Sequence, residues 1–248
     1  MESTTINCLN CGQSFAGNFC SNCGQKSTVK RITWKEVFHN IPHMLFHLDD
    51  GFFYTIKQLA IKPGQTIRDY LEGKRKYFFN PFVMLLLLAG LCSALYVYFH
   101  IPTILASVSL NKLEEKNAFI AHKFFASRII IFCLICSVGD YLVFKNHKYN
   151  LAEMVVANVM IFCEVTVIQL IFIPFFILGG FLEISMYMQV VFICGLLAYQ
   201  FFARFQFFRA RGNYLLSGKI ALSLFLYLII FYEIGQHIIR PTFENQLN

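Results

Sequence analysis

Charged residues are scarce in this chain. Asp, Glu, Lys and Arg make up 14% of its 248 residues, whereas soluble globular proteins carry about 25%. So few charged residues cannot cover a water-facing surface, which excludes an ordinary soluble domain. The rest of the composition agrees, because 57% of the residues are apolar and 29 residues are Phe, a side chain suited to lipid contact.

The sequence also lacks the motifs of common catalytic sites. No Gly-rich phosphate loop, H-E-x-x-H, G-x-S-x-G or pair of intramembrane aspartates occurs in it. On this ground we do not favour an enzyme. A further absence concerns export: the start, MESTTINCLNC, is polar and has no basic segment followed by an apolar one. We therefore expect no cleavable signal peptide.

Nine cysteines are present, in two groups with different surroundings. Five lie in apolar runs, where free cysteine behaves as a small buried hydrophobe. These five are Cys92, Cys133, Cys136, Cys163 and Cys194. Cys133 and Cys136 form a C-x-x-C, but inside a predicted span, where a thiolate is poorly solvated. We expect neither a redox nor a metal role for that pair.

The other four cysteines are crowded at the N-terminus, in the run CLNCGQSFAGNFCSNCGQK. They form two C-x-x-C pairs, Cys8 with Cys11 and Cys20 with Cys23, separated by eight residues. Each pair is followed by a glycine, which tolerates the positive φ of a tight turn. Four thiolates complete a tetrahedral zinc site and leave no position for a substrate. The sequence therefore predicts a structural zinc ribbon over residues 1–26.

This ribbon is too short to bury a core of its own. Bound zinc would supply the folding free energy, roughly 10–16 kcal/mol in small zinc peptides, with Phe15 and Phe19 as the packing. Two disulfides in an exported domain are the alternative, which the missing signal peptide disfavours. Nucleic acid is not an expected partner, because residues 1–25 contain no Lys or Arg to contact phosphates.

Residues 27–81 mix polar, basic and aromatic side chains, and we call this segment the collar. The pair Pro63-Gly64 breaks a helical stretch in its middle. The pattern predicts amphipathic helices that lie on the membrane surface. A cationic run near the end of the collar is expected to contact anionic headgroups, at about 1 kcal/mol for each cation. This run is Lys74, Arg75 and Lys76.

Three motifs along the chain resemble one known family. They are C-x-x-C-G-x-x-F-x-G-x-F-C-x-x-C-G-Q-K from Cys8, LDDGFFYTIKQLAIKPGQTIRDYLEGKRKYFFNPF from Leu48, and YNLAE at residues 149–153. With them the chain resembles the bacterial membrane-protein family labelled domain of unknown function 3667, over nearly its whole length and most specifically at residues 8–82. The resemblance implies a zinc ribbon followed by several spans, and it implies no particular activity.

One departure from that family is visible. Many members carry histidines in the third span after the Y-N-x-x-E motif, whereas this chain continues with Met154-Val155-Val156-Ala157. A metal or proton role resting on such histidines is therefore not implied here.

Five apolar runs are long enough to cross a bilayer as helices, which takes about 20 residues. The runs are residues 82–101, 127–144, 154–178, 184–203 and 220–239. We expect Gly179-Gly180 to form a tight connection between the third and the fourth. The predicted fold class is an all-α integral membrane protein, with a five-span bundle at residues 82–240. Interfacial helices and the N-terminal ribbon precede the bundle, and a short tail follows at residues 241–248.

Cations between the spans predict the orientation of the chain. They gather in three places: at the end of the collar, between the second and third spans, and between the fourth and fifth spans. The cations of the last two places are Lys145, Lys148, Arg204, Arg209, Arg211 and Lys219. By the positive-inside rule all three places are cytoplasmic, which puts the N-terminus in the cytoplasm and the C-terminus outside. A reducing compartment for the ribbon also fits zinc rather than disulfides.

Four ionisable side chains fall inside the predicted spans, where such groups are costly and often functional. They are Asp140, Glu164, Glu233 and His237. Glu164 is nearest the middle of its span, and Glu233 and His237 have the spacing to meet on one helix face. The alternative role is helix–helix hydrogen bonding, at about 0.6–2 kcal/mol for each bond. The sequence does not decide between the two roles for Glu164, and it favours hydrogen bonding for the other three.

The favoured function is a scaffold, interaction or regulatory role in a non-enzymatic protein of the bacterial inner membrane. Its partners would be anionic lipid headgroups and an unidentified protein that contacts the ribbon, and a homo-oligomer stays open. The first alternative is a small-solute or ion permease that uses Glu164. The second is a lipid-modifying enzyme, which would need water-accessible acid–base groups such as Asp49, Asp50, His147 and Glu153.

Overall fold

The chain runs from a small β-ribbon through two short helices to five long ones over the residues described. In a computed structural model, the structure describes residues 5–34, 51–99, 101, 125–144, 148–181, 185–209 and 213–234. The strands are β1 (Ile6–Asn7) and β2 (Ser14–Phe15), which pair antiparallel. The helices are α1 (Gly51–Ile61), α2 (Pro63–Leu71), α3 (Pro81–Tyr98), α4 (Phe125–Val143), α5 (Leu151–Phe181), α6 (Ser185–Phe207) and α7 (Tyr214–Ile234).

Four of the helices, α3 to α6, are long and apolar enough to cross a membrane. Their apolar segments are Pro81–Tyr98, Ala126–Val143, Leu151–Leu178 and Val190–Phe207. The expected helical architecture with several spans is confirmed to this extent, and it is consistent with a multi-pass membrane protein. The fifth expected span corresponds to α7, whose described apolar stretch, Tyr214–Ile230, is shorter than the other four.

Three of the long helices begin after an asparagine. The side-chain oxygens of Asn80, Asn150 and Asn213 accept hydrogen bonds from backbone N–H groups in the first turns of α3, α5 and α7. Such N-caps satisfy donors that the start of a helix leaves unpaired. They explain why α5 and α7 start at Leu151 and Tyr214, earlier than the apolar runs predicted.

Helix α5 lies at the centre of the bundle and packs against α3, α4 and α6. Its residues 152–166 are buried on every side, as expected for a helix that other helices enclose. The helix continues through Pro174 and ends at Phe181. The pair Gly179-Gly180 therefore lies inside α5, and the expectation that it forms the connection to the next span is wrong.

Helices α1 and α2 of the collar form a bent pair that packs against α5 and α6. The break falls at Lys62, and Pro63 begins α2. Because Pro63 has no N–H, the carbonyl of Leu59 has no donor four residues along the chain. The hydroxyl of Tyr199 in α6 donates to that carbonyl instead, at 3.3 Å. The break that the sequence predicted is therefore a point of attachment to the bundle.

The second residue of α2 makes a still closer contact with α6. The N–H of Gly64 donates to Oε1 of Gln206 at 3.2 Å, and a Cβ on residue 64 would overlap the backbone of Gln206 and Phe207. One turn later, Arg68 donates to the carbonyls of both residues. These carbonyls end α6, where a helix carries partial negative charge. The collar is thus fixed to the C-terminal end of α6.

Candidate metal centre and buried polar groups

The four N-terminal cysteines meet at one point. Their Sγ atoms all lie within 4.8 Å of one another; Cys8 is 3.5 Å from Cys23 and Cys11 is 3.6 Å from Cys20. All four are free cysteines. A tetrahedral ion with metal–sulfur bonds of about 2.3 Å would space its sulfurs by about 3.8 Å. The donor set therefore fits a metal ion with four thiolate ligands and no open position.

Two matching turns build this cluster. In the first, the N–H of Gly12 donates to the carbonyl of Cys8 and the N–H of Cys8 donates to the carbonyl of Gln13, both at 2.9 Å. Residues 20–25 repeat the pattern with both bonds at 2.8 Å. Gly12 and Gly24 have φ angles of 77° and 70°, which L side chains rarely adopt. The predicted reason for a glycine after each cysteine pair is confirmed.

The thiols of the cluster differ in acidity. The backbone N–H of Gln13 lowers the pKa of Cys11, whereas desolvation raises the pKa of Cys23 to about 11. Metal ions bind the thiolate form, so binding releases protons and weakens as the pH falls.

One aromatic ring packs behind the cluster. Phe15 is buried against Cys8 and Cys20, as expected. Phe19 is 57% exposed, which contradicts the expectation that it packs there too. The backbone of Phe19 pairs with that of Lys26, and this pairing leaves the ring outside the small core.

Gln25 fastens the second turn to the collar. Its side chain is 4% exposed; Nε2 donates to the carbonyl of Gly73 at 3.0 Å, and Oε1 accepts from the N–H of Arg75 at 3.1 Å. Leu9 lies beside Gly73 as well. Because the carbonyl of Gln25 closes the turn at Cys20, one residue serves both the metal cluster and its attachment.

Arg31 joins the segment after the cluster to the start of α5. Its Nε and Nη2 donate to the two carboxylate oxygens of Glu153 at 2.7 and 2.9 Å, and Nη2 donates to the carbonyl of Lys148 at 2.6 Å. Glu153 also accepts from the N–H of Asn150 at 2.8 Å, while Asn150 accepts from the N–H of Glu153 at 2.9 Å. This reciprocal pair is a capping box. A bidentate arginine is among the stronger side-chain contacts, so the N-terminal segment is tied to the central helix.

The three cations predicted to lie at the membrane surface also bind within the protein. Lys74 pairs with Asp69 at 2.6 Å, a hydrogen bond that raises the pKa of Lys74. Arg75 donates to the carbonyls of Tyr70 and Lys30 at 3.0 Å each. The side chain of Lys76 lies beside Gly24 in the second cysteine turn. Their contact with headgroups stays a prediction.

A buried polar network joins four of the bundle helices. Arg204 of α6 donates to Oδ2 of Asp140 in α4 at 3.1 Å and to Oδ1 of Asn158 in α5 at 2.8 Å. Asn158 also donates to Asp140 at 3.0 Å, and the hydroxyl of Tyr227 in α7 donates to the other Asp140 oxygen at 2.9 Å. All four side chains are buried. A buried ion pair needs such extra hydrogen bonds, so these contacts give Asp140 a helix–helix bonding role.

The sequence predicts Arg204 in the loop before the fifth span, and this prediction is wrong. Helix α6 continues to Phe207, and Arg204 is fully buried inside the bundle. The signal in the sequence is a charge of each sign near the ends of the second and the fourth predicted spans, at Asp140 and Arg204.

Glu164 stands apart from this network. It lies in the buried half of α5 and is 4% exposed, and its Oε2 atom has no hydrogen-bond partner in the part of the chain described. No salt bridge to Glu164 occurs among the same residues.

The remaining candidates are not brought together by the described residues. Glu233 lies in the last turn of α7, while His237 lies outside the described residues, so their pairing stays a prediction. Asp49, Asp50 and His147 also lie outside them, and Glu153 is engaged by Arg31. Four of the five cysteines in apolar runs are buried, as predicted: Cys92, Cys133, Cys136 and Cys163. The prediction is wrong for Cys194, which is exposed because it lies on a face of α6 that the described residues leave uncovered.

Fold and site together describe a helical chain with four helices able to span a membrane and a cysteine cluster able to hold a metal ion. Residues 49–92 match a family model described as Protein of unknown function (DUF3667). The match confirms the resemblance found in the sequence, and it covers α1, α2 and much of α3. No curated protein and no solved structure matches the chain.

Proposed function

We propose that this protein is a regulatory or scaffolding protein of the bacterial inner membrane, in which a cytoplasmic zinc ribbon is clamped onto the membrane bundle. The observation that carries the proposal is the double use of Gln25, which closes a metal-binding turn and bonds the collar on both sides. Binding or loss of the metal ion would therefore alter the contacts at Gly73 and Arg75, a few residues before the first span.

Zinc is the ion that the donor set supports best. Four cysteine sulfurs in tetrahedral spacing are the ligand set of structural zinc sites, and a small module with one buried aromatic ring needs the ion for its folding free energy. The ion would hold residues 5–26 in shape. It would do no chemistry on a substrate, because no ligand position is open.

A cytoplasmic position of the cluster is supported by charge and by the collar. The cluster contacts the segment that holds Lys74, Arg75 and Lys76, and cations beside spans face the cytoplasm. The exposed ring of Phe19 and the half-exposed Leu9 offer apolar surface for a protein partner. This partner would bind the ribbon while the bundle anchors the pair in the bilayer.

Metal analysis of two cysteine variants tests the proposal. Cys8→Ser removes one ligand, whereas Cys194→Ser removes an exposed cysteine of α6 and is the matched control. We expect the purified control to carry one zinc per chain and the Cys8→Ser protein to carry less than about a tenth of that, because the closed site loses a ligand. Full zinc content in Cys8→Ser would refute the ribbon.

Orientation is tested separately with a reporter fused to the C-terminus. Alkaline phosphatase is active only outside the cytoplasm, so an odd number of spans with the N-terminus inside gives an active fusion. An inactive phosphatase fusion together with a fluorescent green-protein fusion at the same end would overturn the proposed orientation.

A further inference from the structure

Two buried carboxyl groups in the bundle have opposite surroundings. Asp140 is 2% exposed and accepts hydrogen bonds from Arg204, Asn158 and Tyr227. Glu164 is 4% exposed, and its Oε2 atom has no partner within the described part of the chain. The two side chains are buried to a similar extent, so burial alone does not distinguish them. Their partners do.

An ionised carboxylate without a partner is among the most unfavourable groups to bury. Removing it from water costs several kcal/mol or more, and a fixed cation or donors must offset that loss. Glu164 has no such group among the described residues. Within the described part of the chain, neutralising its charge therefore requires a mobile positive charge, which is either a proton on the carboxyl group or a small cation bound to it.

Two neighbours of Glu164, Tyr199 and Cys163, have other partners, and so does Arg204, the cation of the polar network. Tyr199 of α6 is close enough to interact with it electrostatically, but its hydroxyl donates to the carbonyl of Leu59. Cys163, the preceding residue, faces the carbonyl of Pro81 at 3.4 Å. Arg204 is held by Asp140 and Asn158. None of these groups neutralises Glu164.

Position adds to this argument. Glu164 lies six residues beyond Asn158 on α5, which is about 9 Å along a helix axis, so it sits deeper in the bundle than the Asp140 network. It also lies in the stretch that other helices enclose on every side. An ionisable residue at such a place carries a substantial energetic penalty and is a candidate functional group.

We propose that Glu164 is a binding site for a monovalent cation, either a proton or an alkali ion, inside the membrane bundle. The site is independent of the zinc ribbon and of the proposed regulatory role. Its chemistry is the exchange of one positive charge on one carboxyl group, and the two possible occupants are told apart by experiment.

Dicyclohexylcarbodiimide is the probe, because it dissolves in the bilayer and reacts with protonated carboxyl groups. The carboxyl proton moves to a carbodiimide nitrogen while the carboxylate oxygen bonds to the central carbon. The acyl group then migrates from that oxygen to nitrogen and gives a stable N-acylurea, with no atom lost. Peptide mass spectrometry of full-length protein in native membranes locates the adduct.

In buffer free of alkali ions we expect labelling of Glu164 and less than about a tenth as much on Asp140, whose carboxylate oxygens accept hydrogen bonds from Arg204, Asn158 and Tyr227. Glu164→Gln keeps the shape of the neutral side chain and removes the label. Loss of labelling at higher pH with no effect of sodium or potassium chloride identifies a proton as the occupant. Loss of labelling at fixed pH on addition of one of those salts identifies that alkali ion.

Two results would overturn the proposal. One is the absence of an adduct on Glu164 at every pH in buffer free of alkali ions, since a carboxyl group that is closed to a small apolar reagent and never protonated exchanges no cation. The other is equal labelling of Asp140 and Glu164. That result would mean that the difference in hydrogen-bond partners between the two carboxyl groups does not affect their reactivity.

Discussion

Gly64 and Gln206 lie in direct contact across the junction of collar and bundle. The glycine N–H donates to Oε1 of Gln206 at 3.2 Å, and the space that a side chain on residue 64 would need is filled by the backbone of Gln206 and Phe207. Two helices can approach this closely only where one of them has no Cβ.

Replacing Gly64 with alanine should therefore separate α2 from α6. An overpacked contact of this kind costs about 1–3 kcal/mol, and here the obstacle is backbone, which cannot turn aside. We expect a lower unfolding temperature for Gly64→Ala in detergent, measured by thermal size-exclusion chromatography. Gly90→Ala in α3 is the matched control, because nothing lies within 4 Å of a Cβ there. Equal unfolding temperatures for both variants would contradict the close contact.

Gln25 and Gln13 occupy equivalent places in the two cysteine turns, and they provide a matched pair of variants. Gln25 is buried against the collar and Gln13 is exposed. Gln25→Ala should leave the Gly73 carbonyl and Arg75 N–H unpaired, at about 1–3 kcal/mol for a buried group. The result expected is faster tryptic cleavage after Lys30 and Arg31, with metal still bound. Gln13→Ala should be cleaved at the wild-type rate. Cleavage of Gln25→Ala at the wild-type rate would refute the attachment of the ribbon to the collar.

Arg204 should be far more sensitive to replacement than Arg209, although both lie near the C-terminal end of α6. Arg204→Leu leaves Asp140 buried without its cation, and removal of one partner of a buried pair costs about 3–5 kcal/mol. The exposed Arg209, changed to Gln, should alter stability by less than about 0.5 kcal/mol. Unfolding in detergent with a denaturant measures both. The double variant Asp140→Leu with Arg204→Leu should recover much of the loss, whereas additive losses would show that the two residues do not interact.

The hydroxyl of Tyr199 donates to the carbonyl of Leu59 in place of the N–H that Pro63 lacks. Because Leu59 is fully buried, Tyr199→Phe should leave its carbonyl unpaired and lower the stability by about 1–3 kcal/mol. Tyr187→Phe, on the same helix with a 75% exposed ring, is the control and should be neutral. Hydrogen exchange of α1 should also quicken in Tyr199→Phe alone. Unchanged exchange would mean that water or another group satisfies Leu59.

Features of short range were the ones that the sequence predicted best. The cysteine turns follow from spacing and from a glycine after each pair, since all ligands of a turn lie within a few residues. The break at Pro63 likewise follows from the missing N–H. Phe19 was assigned wrongly because composition cannot show which of two rings the backbone pairing turns inward.

Contacts between elements distant along the chain could not be predicted from the sequence. The pairing of Asp140 with Arg204 depends on α4, α5, α6 and α7 meeting at one depth, which hydropathy does not encode. Arg204 was placed in a loop because a charge ends an apolar run in a hydropathy profile, although a paired arginine can remain inside the helix. The contact of Gly64 with α6 is equally invisible, because a glycine beside a proline predicts only a turn.

The placement of Gln25 has a thermodynamic consequence for any ion in the cluster. One residue shapes the metal-binding turn through its carbonyl and holds the collar through its side chain, so ion occupancy and collar attachment share one free energy of coupling. Such coupling is reciprocal. If bound ion strengthens the attachment of the ribbon by some factor, attachment strengthens the affinity for the ion by the same factor. About 1.4 kcal/mol of coupling corresponds to a tenfold change in each equilibrium constant. A ribbon detached from the collar would therefore release its ion more readily than the same ribbon attached to it.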